Sequence, residues 1–140
     1  MTCSLCSTGQ DDIVWQDRHC RVILVPDPDY PGYCRVVWNR HVAEMSDLDT
    51  DEQHRFMDVV LAVERALRVL MNPDKINLAS FGNKVPHLHW HVIARFADDC
   101  HFPESIWGHE QRQTHLRAAP DRDALTGQIA TELARTSATC

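Results

Sequence analysis

The chain has 140 residues, 44% of them hydrophobic, and a formal net charge of −6. That length fits a single domain, residues 1–140, with a core large enough to need no staples. The acidic balance argues against a broad basic grip on nucleic acid, while a small anionic ligand can still be held by backbone N–H groups and a few side chains.

In chain order, residues 11–25 alternate apolar and polar positions and predict two short antiparallel strands joined near Asp17 and Arg18. Residues 26–32 (PDPDYPG) are dense in turn formers and predict a loop. Residues 33–38 are β-branched and aromatic, and predict a third strand.

Thr50, with Gln53 three residues later, reads as a capping box, and Asp51 and Glu52 suit the positive end of a helix dipole. Phe56, Val59, Val60, Val63, Leu67 and Leu70 recur at helical spacing up to the stop at Pro73. Strands are expected over residues 75–81 and 85–96, with Gly82, Asn83 and Lys84 as the turn between them. Pro103 and Gly108 punctuate a loop, and Leu125, Ile129 and Leu133 predict a short C-terminal helix. The order β-β-β-α-β-β-α argues for an α+β domain around an antiparallel meander.

No segment is apolar for long enough to cross a bilayer, and residues 1–6 lack the features of a secretory signal. A cytoplasmic protein with no membrane partner is therefore expected. Of six cysteines, Cys20, Cys34, Cys100 and Cys140 are scattered and read as free thiols, with Cys140 expected to be disordered. Cys3 and Cys6 form a Cys-x-x-Cys pair, a moderate signal for zinc that needs two further ligands. A frayed terminus that binds nothing is the competing reading.

The most informative run is His87-Leu88-His89-Trp90-His91-Val92-Ile93. Side chains alternate faces on a strand, so His87, His89 and His91 share one face, roughly 6–7 Å apart along the backbone, and Leu88, Trp90 and Val92 share the other. Neutral imidazole is nucleophilic near physiological pH, and its second nitrogen can be oriented by a hydrogen bond. A row of imidazoles beside a glycine turn can supply what attack at phosphorus requires without a metal. The bare pattern also fits three histidines on one metal, or a polar face of a sheet.

The run from Pro86 to Ile93 resembles the signature of the histidine triad family of nucleotide hydrolases and transferases. The resemblance extends over about residues 3–107, through Pro31-Gly32-Tyr33, Asn39-Arg40-His41, the helix near Thr50 and the stretch 75–83, leaving 108–140 as a C-terminal extension. It implies that His89 is the nucleophile, forming a covalent nucleotidyl-histidine, and that His91 contacts the scissile phosphate and assists the leaving group. Asn83, with Gly82 beside it, matches a polar residue contacting phosphate oxygens, and Asp27 falls near the position that binds ribose. Cys3, Cys6, His41 and His87 match a structural zinc site found in some members, and no organic cofactor is implied.

A nucleoside 5′-phosphate derivative, such as a dinucleoside polyphosphate or a phosphoramidate, is the implied substrate, and a homodimer the implied assembly. Tyr33 stands where many members have a histidine that helps orient the nucleophile, so a backbone carbonyl or the tyrosine hydroxyl must serve. That departure keeps open a nucleotide-binding module without turnover, and a His-rich metalloprotein is the third reading. His19, His54, His101, His109 and His115 read as surface or loop residues, residues 95–99 as a solvated turn, and Trp107 as either substrate-facing or packed.

Overall fold

A computed structural model describes residues 2–138. Five strands, β1 (Ile13–Gln16), β2 (Cys20–Leu24), β3 (Cys34–Trp38), β4 (Lys75–Ala79) and β5 (His89–Arg95), form one sheet in the order β1-β2-β3-β5-β4. Every neighbouring pair is antiparallel. Two helices, α1 (Thr50–Met71) and α2 (Arg122–Ala138), complete the α+β fold expected from the element order. No helix among the described residues is long and apolar enough to cross a membrane.

Strand alternation divides the sheet into two faces with different duties. Val22, Val36, Val92 and Ala94 point toward the helices and join Phe56, Val59, Val63, Leu67, Leu125 and Ile129 in the main core. The opposite face carries no helix. It presents Arg35 and Val37 of β3 beside His91 and His89 of β5, with which they pair in register. Leu5 of the N-terminal segment packs on Ile23 and Val37 there, while Tyr30, Tyr33, Ile93 and Cys100 form a second small cluster.

Several boundaries differ from the sequence reading, each for an identifiable reason. The capping box of α1 begins one residue earlier than Thr50. The Asp49 carboxylate accepts the Glu52 N–H at 2.8 Å, and the Glu52 carboxylate accepts the Asp49 N–H at 2.9 Å. Two carboxylates suit the positive helix end better than a hydroxyl and an amide; the Gln53 amide instead donates to the Leu48 carbonyl. The helix closes on Asn72 in the left-handed region, φ 47°, just ahead of Pro73.

Strand β4 ends at Ala79 rather than residue 81, and β5 begins at His89 rather than residue 85. Pro86 offers no N–H to a ladder, the His87 N–H donates to the Val85 carbonyl, and the Leu88 N–H donates to Val42. Backbone groups of the expected strand start are therefore spent on loop contacts. The C-terminal helix is not short: it runs 17 residues. Cys20, Cys34 and Cys100 are buried free thiols, and Cys140 lies outside the described residues.

The stretch 95–99 is not the solvated turn its composition suggests. Asp98 is exposed, but Arg95 and Asp99 are buried, 1% and 5% exposed. The guanidinium donates twice to Asp99, at 2.7 and 3.0 Å, and also to Asn77 and to the Glu104 carbonyl. Composition cannot reveal this, because burial of the charges depends on Tyr30 and Phe102, whose rings flank the guanidinium. Burial pushes the Asp99 carboxyl up, but the Arg95 hydrogen bond and the backbone N–H groups of Phe96 and Phe102 outweigh it and hold the pKa at about 2.

Because the folded pKa lies below the unfolded value of about 3.9, this pair stabilises the fold fully above that value and ceases to do so as pH falls through about 2. Asp99→Asn leaves a buried guanidinium without its anion and is expected to cost about 3 kcal/mol in urea unfolding at pH 7. The gap from the wild type should close between pH 4 and 2; a gap unchanged across that window would refute the assignment.

Candidate functional site

The three histidines are placed by two kinds of backbone. His89 and His91 are on β5, and their rings meet edge to face with centroids 4.9 Å apart. His87 precedes the strand and is fully buried. Its Nε2–H donates to the Trp38 carbonyl at 2.6 Å. That bond assigns the ring proton to Nε2 and leaves Nδ1 with a free lone pair.

Nδ1 of His87 faces Cys3 Sγ at 3.4 Å, Cys6 Sγ at 3.5 Å and His41 Nδ1 at 3.1 Å, and Cys6 Sγ lies 3.3 Å from His41 Nδ1. All four ligand atoms lie within 4.8 Å of one another. Tetrahedral zinc, with bonds of about 2.0 Å to nitrogen and 2.3 Å to sulfur, needs ligand atoms roughly 3.3–3.8 Å apart. The donor set and its spacing fit that ion. The carbonyl bond that fixes the His87 tautomer is the second contact a metal-binding histidine requires.

His89 is held by the backbone of the same segment: its Nδ1–H donates to the His87 carbonyl at 2.6 Å. The Nε2 lone pair is thereby left unprotonated. A backbone carbonyl thus orients the His89 ring. The Tyr33 hydroxyl instead lies 2.6 Å from His91 Nδ1. Gly32, the residue before Tyr33, holds φ 84°, a left-handed conformation that a side chain would strain, so the turn into β3 favours glycine.

Burial lowers the pKa of His89 below the usual histidine value and brings that of His91 down to about 4, with the Arg35 charge adding to both. Both imidazoles are therefore neutral at physiological pH. One can attack through a lone pair, and the other can donate from its ring N–H.

His89 and His91 open on a cavity of about 460 Å³. Gly82, Asn83 and Lys84 of the loop after β4 line one side, and Ser4, Leu5 and Val85 another. Gly82 holds φ 77°, and Ser80 donates to the His89 carbonyl at 2.7 Å, so the loop is pinned to the start of β5. The sequence-predicted set of His89, His91, Asn83 and Gly82 is thus brought together. Asp27 is not among the lining residues; its carboxylate accepts the Asp29 N–H within its own loop.

Three lining residues escaped the sequence reading or were left open by it. Arg35 enters from β3, and Phe81 and Trp107 sit over His91, with ring centroids 6.2 and 5.0 Å from it and 5.1 Å from each other. Trp107, half exposed, is therefore cavity-facing rather than packed in the core. The available signal for Arg35 was a lone charge in an otherwise apolar strand, two residues from Tyr33 and so on the same face.

A family model described as the HIT domain matches residues 8–98. A histidine triad protein of Bradyrhizobium japonicum is 31% identical, with a TM-score of 0.65 over 88% of this chain and 87% of that one. One from Marinobacter aquaeolei, 24% identical, superposes with a TM-score of 0.70 over 91% and 92%. A zinc-bound histidine triad family protein of Mycobacterium smegmatis, 21% identical, reaches 0.64 over 100% and 99%. Among curated proteins, a bis(5′-adenosyl)-triphosphatase of Saccharomyces cerevisiae is 26% identical over 92 residues, 61% of this chain. The chain spans 45% of the length of that relative. With His89 and His91 side by side on β5 and the Cys3-x-x-Cys6 pair drawn against His41 and His87, the chain belongs to the histidine triad family, in the branch that carries an N-terminal Cys-x-x-Cys.

Proposed function

We propose that this protein cleaves a nucleoside 5′-phosphate derivative at its α-phosphorus through a covalent nucleotidyl-histidine. The observation that carries the reading is the bond from His89 Nδ1–H to the His87 carbonyl, which leaves Nε2 with its lone pair in the family's cavity. Nε2 forms a bond to phosphorus while the bond to the leaving group breaks. The Tyr33 hydroxyl, donating to His91 Nδ1, favours a proton on His91 Nε2. That N–H donates to the bridging atom as the leaving group departs. Water then attacks phosphorus while giving a proton back to His91 Nε2, the P–N bond breaks with its electron pair returning to His89 Nε2, and the nucleoside monophosphate leaves.

A dinucleoside polyphosphate or a phosphoramidate supplies the required α-phosphate. The relative that bears the name bis(5′-adenosyl)-triphosphatase and the aromatic pair Phe81 and Trp107 at the His91 side favour a leaving group with a flat face. Cys3, Cys6, His41 and His87 would hold one structural zinc, whose task is to fix the His87 segment rather than to activate substrate. Asn83 would contact phosphate oxygens from the loop wall. The unpaired edge of β4 offers a ladder for a second copy in a two-fold homodimer.

His89→Ala is expected to lower the hydrolysis of a dinucleoside polyphosphate by at least about 10³-fold, and the wild type alone should yield a nucleotidyl adduct on His89 by mass spectrometry. Tight nucleotide binding with neither turnover nor adduct would establish a binding module instead. Tyr33→Phe keeps the ring and removes the hydroxyl. It should lower kcat about 10-fold with little change in KM; an unchanged kcat would remove the tyrosine from the leaving-group step. Elemental analysis should find one zinc per chain in wild type and in His89→Ala, and a loss of metal in Cys6→Ala. Zinc lost from His89→Ala would favour a metal held by the triad itself.

A further inference from the structure

The cavity contains a cation that neither the triad nor the zinc ligands account for. Arg35 lies on β3 directly across from His91, and its side chain lines the same wall as His89 and His91. The two most deeply buried arginines are each matched to a carboxylate, Arg21 to Asp11 at 3.0 Å and Arg95 to Asp99 at 2.7 Å. Arg35 is not: among the described residues no carboxylate lies within ion-pair distance of it. Its Nε is fully buried with no hydrogen-bond partner, and its guanidinium rests 5.9 Å from the centre of the Tyr33 ring. A buried donor without an acceptor is costly, and the rest of the half-buried side chain lines the cavity. A ligand in the cavity would complete it.

The ligand chemistry follows from what surrounds it. Lys84, the other cation on the cavity wall, is exposed on a loop and keeps its hydration. Arg35 is the fixed positive charge of the cavity, with the planar fork that matches two oxygens of a phosphoryl group. Resting on the reading of this cavity as a nucleotide site, we infer that Arg35 is a catalytic residue whose guanidinium holds the non-bridging oxygens of the α-phosphoryl group attacked by His89. Transfer through a metaphosphate-like state concentrates charge on those oxygens, and a fixed donor there stabilises the transition state.

The test titrates adenosine 5′-monophosphate, adenosine and inorganic phosphate into wild type, Arg35→Gln and Arg35→Lys by calorimetry, with thermal melts to check folding. Arg35→Gln should weaken monophosphate binding about 10- to 100-fold and leave adenosine binding as it is, with part of the loss restored in Arg35→Lys, which keeps the charge but not the fork. Turnover by Arg35→Gln should fall about 10²- to 10³-fold. Equal monophosphate binding by wild type and Arg35→Gln overturns the inference while leaving the nucleotide reading intact. A wild type that binds inorganic phosphate through Arg35 but neither nucleoside ligand keeps the arginine and overturns the nucleotide reading. A wild type that binds none of the three overturns both. Arg35→Lys covers the case in which the glutamine variant melts early: unchanged monophosphate affinity and turnover in a folded Arg35→Lys would show that the fork does not reach the phosphoryl group.

Discussion

The His87 peptide is the constraint on which the site depends. Its ring is tied by Nε2–H to the Trp38 carbonyl, its Nδ1 faces two thiols and a second imidazole, and its own carbonyl accepts the proton of His89. One residue therefore connects β3, the N-terminal Cys-x-x-Cys and the His89 imidazole. Because His87 lies just before β5 rather than within it, its carbonyl is free of the ladder and can turn toward His89. A strand that began at residue 85 would engage that backbone in cross-strand pairing instead.

The sheet makes such a site possible by dividing labour between its faces. Both helices pack on the face built from Val22, Val36 and Val92, so the core is sealed without any contribution from the residues that face the cavity. The opposite face can then hold groups that a core would reject: neutral imidazoles, a guanidinium and a phenol. The price of that arrangement is visible at Arg35 Nε, one of two buried side-chain donors without a partner among the described residues, the other being Trp90 Nε1. Where no ligand is to be bound, the same face uses apolar contacts or matched ions, as at Ile23 and Val37 or at Arg95 and Asp99.

Much of this is legible in the residues, and the limits are physical. The long helix announces itself because seven buried positions recur at helical spacing, although its cap is displaced by one residue, since Asp49 and Thr50 are both competent N-caps. The alternation of histidines places His89 and His91 on one face, whereas the exit of His87 from the strand depends on hydrogen bonds from residues 87 and 88 to carbonyls that only the folded chain supplies. Cys3, Cys6, His41 and His87 could be proposed together only through family resemblance, because the pairs are separated by 35 and 81 positions or more. Arg35 and the Arg95–Asp99 pair were hidden for a common reason: a charge in the sequence looks solvated until packing shows otherwise.

Tyr33 brings a phenol rather than an imidazole to the ring of His91. A histidine at this position would add a third titratable ring to a cluster that is already strongly desolvated. A buried phenol, with its pKa pushed up by that burial, stays a neutral donor throughout the physiological range. It can therefore fix the His91 tautomer without itself changing charge. Its ring at the same time offers a π face to the Arg35 guanidinium, 5.9 Å away. The His89 ring is oriented by a backbone carbonyl, which cannot be titrated at all. The result is a cavity in which the imidazoles are set by neutral contacts, and in which Arg35 brings a planar cation to the wall shared with His89 and His91.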